Sequence, residues 1–215
     1  MYRPAAFVED DPARLAALLR AYPLASLIIH AGGGLVAAHA PMLAEQDADG
    51  RITALIGHVA RANPFWSAVA GDGEVLALFS GPDAYVSPSM YPSKQVHGRV
   101  VPTWNYARVE ARGRLTVESD PSRVRPYLER LTEALEQDRP EPWAVGDAPD
   151  DYVHKLQHAV VGLRIEVTDI RGALKLSQNK GDADWNGVRD GLAASGVLSE
   201  QAVSAMMAPG GSRLT

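Results

Sequence analysis

The chain has 215 residues, 46% of them hydrophobic, and a formal net charge of −5, which suits one globular domain and gives no general electrostatic attraction to nucleic acid. Cys is absent, so disulfides and thiolate metal sites are excluded. Neither a signal peptide nor an apolar stretch of transmembrane length is visible, so we expect a cytoplasmic protein.

Alternating apolar and polar residues predict several short strands after one opening helix. Asp11 and Pro12 are typical of a helix start, and leucines at helical spacing extend the predicted helix over residues 11–22. The predicted strands of this half lie at 25–30, 35–40, 51–58 and 74–79. Turn-forming residues separate these strands, including three consecutive glycines at 32–34.

The stretch 78–113 has a different character, because prolines and glycines interrupt it repeatedly. The interrupting residues are Gly81, Pro82, Pro88, Pro92 and Gly98. We expect a long, stiff loop without helix here, since these residue types break regular structure. Its many hydroxyl and aromatic side chains suit the wall of a small-molecule site. A connector that covers one end of a barrel, with the aromatics as its own small core, is an equally good interpretation.

The chain beyond this loop predicts further strands and then helical periodicity. A strand over 99–110 should be followed by a turn at Gly113 and a strand over 114–118. Helices are predicted at 121–137, at 150–156, around 185–192 and from a cap at Ser199, with one more strand at 160–170.

Six or seven closely spaced strands, with helices between them, predict a mainly β protein with peripheral helices (α+β) rather than a parallel sheet. We expect an antiparallel barrel built from residues 25–118 and closed by 160–170. The helices at 11–22 and 121–137 should pack outside it. The chain is expected to be a single domain over 1–215, with a helical C-terminal extension from about residue 180.

Three polar side chains crowd the end of the third predicted strand. His58, Arg61 and Asn63 all offer donors there, and a guanidinium suits a phosphate because it can bind two oxygens at once. Spacing alone favours a different interpretation, a surface turn in which Arg61 is solvated.

Two further segments contain candidate ligand contacts. On a strand, Trp104 and Tyr106 would share one face, while Thr103 and Asn105 share the other. A cross-strand aromatic pair in the core is the more common role of such residues. The polar run 175–179 is typical of a solvated loop when taken alone. The pair His154 and His158 is typical of an ordinary helix surface, so no metal site is predicted.

Several segments together resemble one known family. The pattern GPDAYVSPSMYPSK at 81–94, followed by VPTWNY at 101–106, resembles the PaiB-type FMN-binding negative transcriptional regulators. Further matches are MYRP at 1–4, GHVARANP at 57–64 and KLSQN at 175–179, so the resemblance covers almost the whole chain. Met90 is a departure, because the family usually has Trp at this position.

The resemblance implies an FMN-binding split barrel that forms a homodimer, with the flavin at the dimer interface. It places Arg61, with His58 and Asn63, at the FMN phosphate. It places the other candidate residues near the flavin ring, the ribityl chain or the dimer partner. These other candidates are Tyr85, Ser87, Tyr91, Lys94, Thr103, Trp104, Asn105, Lys175 and Gln178.

The resemblance also implies negative transcriptional regulation, but no helix in the sequence has a basic face suited to DNA. We therefore expect any DNA interaction to be indirect or weak. A flavin-dependent oxidoreductase or a haem-handling protein on the same barrel is the alternative, since a fold does not determine function. No general acid or base stands out, so the sequence leaves open whether the chain is an enzyme.

Overall fold

The computed structural model describes residues 1–69 and 73–207, which form seven strands and seven α-helices. The strands are β1 Val8–Glu9, β2 Leu24–Ala31, β3 Gly34–Gln46, β4 Ile52–Ala60, β5 Gly73–Val86, β6 Thr103–Glu118 and β7 Val160–Lys175. The helices are α1 Pro12–Ala21, α2 Phe65–Ala68, α3 Ser93–His97, α4 Pro121–Glu136, α5 Asp150–Gln157, α6 Asp182–Ala193 and α7 Leu198–Met206.

The strands form one sheet in the order β1-β7-β4-β3-β2-β5-β6, and a further pairing of β6 with β7 closes it. The pairs β1–β7, β2–β3, β2–β5, β3–β4 and β4–β7 are all antiparallel. On β2 the residues Ala25, Leu27 and Ile29 alternate with less buried neighbours, as expected for a strand with one face in the core. The predicted antiparallel barrel is therefore confirmed.

The chain forms two compact units. Unit 1 comprises residues 1–21, 80–109 and 171–215, and unit 2 comprises residues 22–79 and 110–170. Each has buried apolar side chains, such as Leu19 and Leu192 in unit 1 and Leu55 and Ile165 in unit 2. The single functional domain inferred from the sequence stays a prediction. Within 1–69 and 73–207, no helix has the length and hydrophobicity needed to cross a membrane.

The predicted central loop is largely regular structure, which corrects the expectation of a helix-free segment. Strand β5 continues past Gly81 and Pro82 to Val86, so this part is strand and not loop. Pro88 opens a 3-10 helix over Pro88–Met90, and α3 ends at Gly98, whose φ is +66°. Proline is tolerated in a first helical turn because its missing N–H has no partner there anyway.

The predicted turn at Gly113 is also wrong, because β6 runs without a break through this residue. A Cβ atom at position 113 would lie 2.1 Å from the carbonyl oxygen of Glu166 on β7. Glycine is therefore required by the close approach of two strands rather than by a turn. The predicted cap at Ser199 is wrong as well, since Val197 is the N-cap residue and Ser199 lies inside α7.

Candidate functional site

The structure divides the candidate residues between the two units. His58, Arg61 and Asn63 belong to unit 2, and all the others belong to unit 1.

The Arg61 guanidinium is occupied by backbone carbonyls. Its Nε donates to the carbonyl of His158 at 2.8 Å. Its Nη2 donates to the carbonyls of Ser119 at 2.8 Å and Val160 at 3.0 Å. The indole N–H of Trp66 in turn donates to the Arg61 carbonyl at 2.8 Å. These contacts give Arg61 a structural role, and its contact with phosphate stays a prediction.

Neither of the other unit 2 candidates offers a charge to a ligand. Asn63 Oδ1 accepts a hydrogen bond from the backbone N–H of Phe65 at 2.9 Å, at the start of α2. Burial lowers the pKa of His58, so its imidazole is neutral at pH 7. Its Nδ1 is buried without a partner among the residues described. A ligand contact by either side chain stays a prediction.

Unit 1 presents an aromatic pair on the surface. Along β6, Asn105 and Ala107 are buried, whereas Trp104 on the opposite face is 53% exposed. Tyr85 of β5 is 44% exposed, and its ring meets Trp104 edge-on with centroids 6.1 Å apart and planes at 69°. The core location that is more common for such residues is therefore not the one observed for Trp104.

Lys175 at the end of β7 adds a positive charge beside aromatic residues. Its Nζ donates to Thr103 Oγ1 at 2.5 Å and lies 5.9 Å from the ring centroid of Tyr106. Burial and then the charge of Lys180 lower the pKa of Lys175. Among the described residues, no carboxylate pairs with its ammonium group. We call the set Tyr85, Trp104, Tyr106 and Lys175 the aromatic face.

Two of the predicted contact residues use their side-chain amides for hydrogen bonds within the protein. Asn105 is fully buried and exchanges hydrogen bonds of 3.0 and 3.1 Å with the Ser177 hydroxyl. The Gln178 amide accepts from the backbone N–H of Leu176 at 2.6 Å and donates to the carbonyl of Leu174 at 2.5 Å. Both side chains shape the end of β7, next to Lys175.

The remaining candidates lie on segment 87–97. Ser87 Oγ accepts from the backbone N–H of Ser89 at 3.2 Å and so caps the 3-10 helix. Tyr91 is 1% exposed, its hydroxyl is buried without a partner among the residues described, and burial raises the pKa of that hydroxyl. Lys94 is exposed on α3 and open to a ligand.

Sequence reasoning missed three charged residues of this unit. Arg108 follows Trp104 and Tyr106 on the same face of β6, so strand alternation would have found it; it donates to the carbonyl of Gly81 at 2.7 Å. Lys180 and Asp184 contact segment 87–97 from about ninety residues away along the chain, and local sequence has no signal for such a contact.

Comparison with known sequences gives a family match and several relatives. Residues 1–169 match the family described as "Putative FMN-binding domain". Protein AN0679 of Emericella nidulans is 31% identical over 226 residues, covering 89% of this chain and 90% of that protein. Protease synthase and sporulation protein PAI 2 of Bacillus subtilis is 29% identical over 194 residues, covering 89% of each. Protein AFUA_5G13800 of Aspergillus fumigatus is 33% identical over 170 residues, and the match spans only 65% of its length.

Solved structures show the same fold at low sequence identity. The FAD and heme binding protein of Mycobacterium smegmatis has a TM-score of 0.57 and 19% identity, covering 82% of this chain and 78% of that one. Flavocytochrome Anf3 of Azotobacter vinelandii has a TM-score of 0.59 and 15% identity, covering 86% and 78%. The fold is thus that of the flavin-binding split barrels. The chain belongs to the PaiB-type FMN-binding domain family, and this membership gives FMN as its cofactor.

Proposed function

We propose that the chain binds FMN on the aromatic face of unit 1 and acts, as a homodimer, as a negative transcriptional regulator of the PaiB type. The exposed pair of Tyr85 and Trp104 carries the proposal for the site, and Lys175 lies near Tyr106, two residues further along β6. Exposed aromatic rings suit a planar isoalloxazine ring, and a lysine suits the phosphate.

Charge favours Lys175 over Arg61 as the phosphate ligand. The ammonium group of Lys175 has the neutral Thr103 hydroxyl as its described partner, and Lys180 is near enough to oppose its charge. A phosphate dianion would offset this repulsion between two cations. Arg61, by contrast, already donates to three carbonyls. Lys94 on α3 is a further cation open to a ligand.

When bound, FMN supplies one- and two-electron transfer. The residues of this chain would bind and orient it, with Trp104 and Tyr85 at the ring and Lys175 neutralising the phosphate. The regulatory role is supported by membership of the PaiB-type family, to which the Bacillus subtilis relative belongs. Regulation would act through a partner or through the state of the flavin, since the acidic chain does not suit direct DNA contact.

Replacing Lys175 tests the site. Losing one charge-assisted contact costs about 1.5–3 kcal/mol, so Lys175→Ala should weaken FMN roughly ten- to a hundredfold. Riboflavin, which has no phosphate, should bind the variant as it binds the wild type. Titration followed by flavin fluorescence measures both affinities. Lys155→Ala, at an exposed lysine of unit 2, is the matched control. Equal weakening of both ligands by Lys175→Ala would overturn the assignment.

Three further measurements separate the remaining parts of the proposal. The absorbance spectrum of freshly purified protein should contain flavin bands, whereas a Soret band would favour the haem-handling alternative. Light scattering after gel filtration should give the mass of a dimer. Deleting the gene should raise a set of transcripts, and the Lys175→Ala chain should fail to restore repression. Unchanged transcripts would refute the regulatory role without affecting the FMN site.

A further inference from the structure

Segment 87–97, which carries the candidates Ser87, Tyr91 and Lys94, is bound to helix α6 within unit 1. The carboxylate of Asp184, in the first turn of α6, accepts two hydrogen bonds from Ser93. The backbone N–H donates to Oδ1 at 3.0 Å, and the hydroxyl donates to Oδ2 at 2.7 Å. This pairing fixes the start of α3 to α6.

Two glycines one turn apart form a groove on α6 that receives Met90. A Cβ atom on Gly187 would lie 2.3 Å from the Met90 carbonyl oxygen and 2.8 Å from Pro92 Cδ. A Cβ atom on Gly191 would lie 3.0 Å from Met90 Cγ and 3.3 Å from its Sδ. The α6 groove, defined by Gly187 and Gly191, therefore admits the Met90 backbone because Gly187 lacks a side chain, and Gly191 leaves room for the Met90 side chain.

A third contact precedes the helix. The ammonium group of Lys180 lies 5.0 Å from the ring centroid of Tyr91, within the range of a cation–π interaction. Tyr91 is almost completely buried, so it anchors the middle of the segment in unit 1. Three interactions thus hold the segment: backbone packing at Met90, the Lys180 cation at Tyr91 and the Asp184 carboxylate at Ser93.

We propose that helix α6 is a positioning element of the FMN site, in which Asp184 and the α6 groove fix segment 87–97 so that its exposed Lys94 contacts FMN bound at the aromatic face. This inference rests on the proposed FMN site in unit 1. The family match ends at residue 169, and α6 begins at Asp182, so the positioning element lies outside the matched region.

The same geometry gives Met90 a function. Its unbranched side chain lies along the groove over Gly191, and a flexible thioether adapts to such a narrow space. A tryptophan side chain is larger and stiffer than that of methionine, and overpacking of a close contact forces displacement of the surrounding backbone. The residue in which this chain departs from its family therefore matches the two glycines of α6.

Adding a single methyl group at Gly187 tests the proposal, because helix propensity and the proposed groove predict opposite effects. Alanine is intrinsically better than glycine inside a helix, so Gly187→Ala should stabilise α6 if nothing packs against it. If the groove positions the segment, the new methyl must displace the Met90 carbonyl, and FMN binding should weaken about tenfold. Gly196→Ala is the control, since a Cβ atom there meets nothing within 4 Å.

Limited trypsin digestion gives a second readout that needs no cofactor. Lys94 and Arg99 are exposed cleavage sites next to the contact. Gly187→Ala should accelerate cleavage at these sites in the flavin-free chain, whereas Gly196→Ala should not. Ser93→Ala, which removes only the hydroxyl bond to Asp184, is a milder variant expected to change both readouts in the same direction.

The outcomes are distinguishable. Weaker FMN binding together with faster cleavage supports the positioning role. Unchanged FMN affinity in Gly187→Ala and Ser93→Ala, with a wild-type chain that binds FMN, would overturn it and leave the proposed site intact. A wild-type chain that takes up no FMN would overturn the site itself, and the positioning role with it. Unchanged cleavage would show that α6 does not fix the segment.

Discussion

Arg61 is the residue for which sequence and structure lead to opposite expectations, and replacing it with alanine separates them. The family resemblance assigns its guanidinium to the FMN phosphate. In the structure, the same guanidinium donates to the carbonyls of Ser119, His158 and Val160, which lie before α4 and around the start of β7. Arg61→Ala should therefore reduce stability rather than selectively reduce FMN affinity.

The expected loss follows from those hydrogen bonds. A hydrogen bond from a charged donor contributes about 1.5–3 kcal/mol, and partial exposure of this guanidinium brings each contact to the lower end or below. Since the three bonds belong to one side chain, we expect Arg61→Ala to lower the free energy of unfolding by about 2–4 kcal/mol. Arg61→Lys should recover only a part, because an ammonium group cannot reach all three carbonyls.

Urea unfolding followed by intrinsic fluorescence measures the stability change, and flavin titration with FMN and riboflavin measures the selectivity. Under conditions where the variant is folded, the ratio of the two affinities should equal that of the wild type. A variant whose stability changes by less than about 0.5 kcal/mol, but whose FMN affinity falls tenfold relative to riboflavin, would refute this reasoning. Arg61 would then be the phosphate ligand that the family resemblance implies.

Three other outcomes follow from the structure and the composition. Gly113→Ala should lower the free energy of unfolding, measured by chemical denaturation, by about 2 kcal/mol, because its methyl group would collide with a strand carbonyl. Gly146→Ala, with open space around the new methyl group, should lower it by less than about 0.5 kcal/mol. Equal losses of stability in the two variants would contradict the close approach at Gly113. Burial would raise the pKa of Glu45, but hydrogen bonds from Arg130 and Arg164 outweigh this effect and lower the pKa. The Glu45 carboxylate therefore stabilises the fold at pH values above its unfolded-state pKa. This stabilisation is lost as the pH falls through the folded-state pKa. The stability difference between wild type and Glu45→Gln should therefore shrink in acid, and a constant difference across the acid range would count against this. Duplex DNA should bind only weakly near physiological salt because the net charge is −5, and a tight, salt-sensitive complex in a shift assay would contradict this.

The fold was accessible from the sequence because its signals are local. Strand alternation and turn residues lie within a few positions of one another, so β2, β3 and β4 were predicted at their observed places, although β3 extends further than predicted. Gly113 was misassigned because the reason for glycine is a carbonyl on β7, more than fifty residues away. A turn glycine and a close-approach glycine look alike in sequence.

Only the general character of the candidate site could be predicted from the sequence. Residue types leave the roles of Tyr85 and Trp104 open, and they do not reveal which polar groups the protein itself uses. Arg61 and Gln178 look equally suited to a ligand until their backbone partners are known. Met90 could be recognised as unusual, yet its counterpart, the α6 groove, lies about one hundred residues further along the chain.

The division into two units also divides the charge of the chain. Unit 1 contains eleven Lys and Arg against eight Asp and Glu, a net charge of +3, whereas unit 2 contains ten against eighteen, a net charge of −8. At physiological ionic strength salt screens charges beyond about 8 Å, so the net charge of the whole chain has little effect on an approaching anion. At low ionic strength the range of the field grows, and the negative charge of the whole chain acts on the same anion. The association rate of FMN should therefore fall as salt is removed, which is opposite to the behaviour of a uniformly basic phosphate-binding protein.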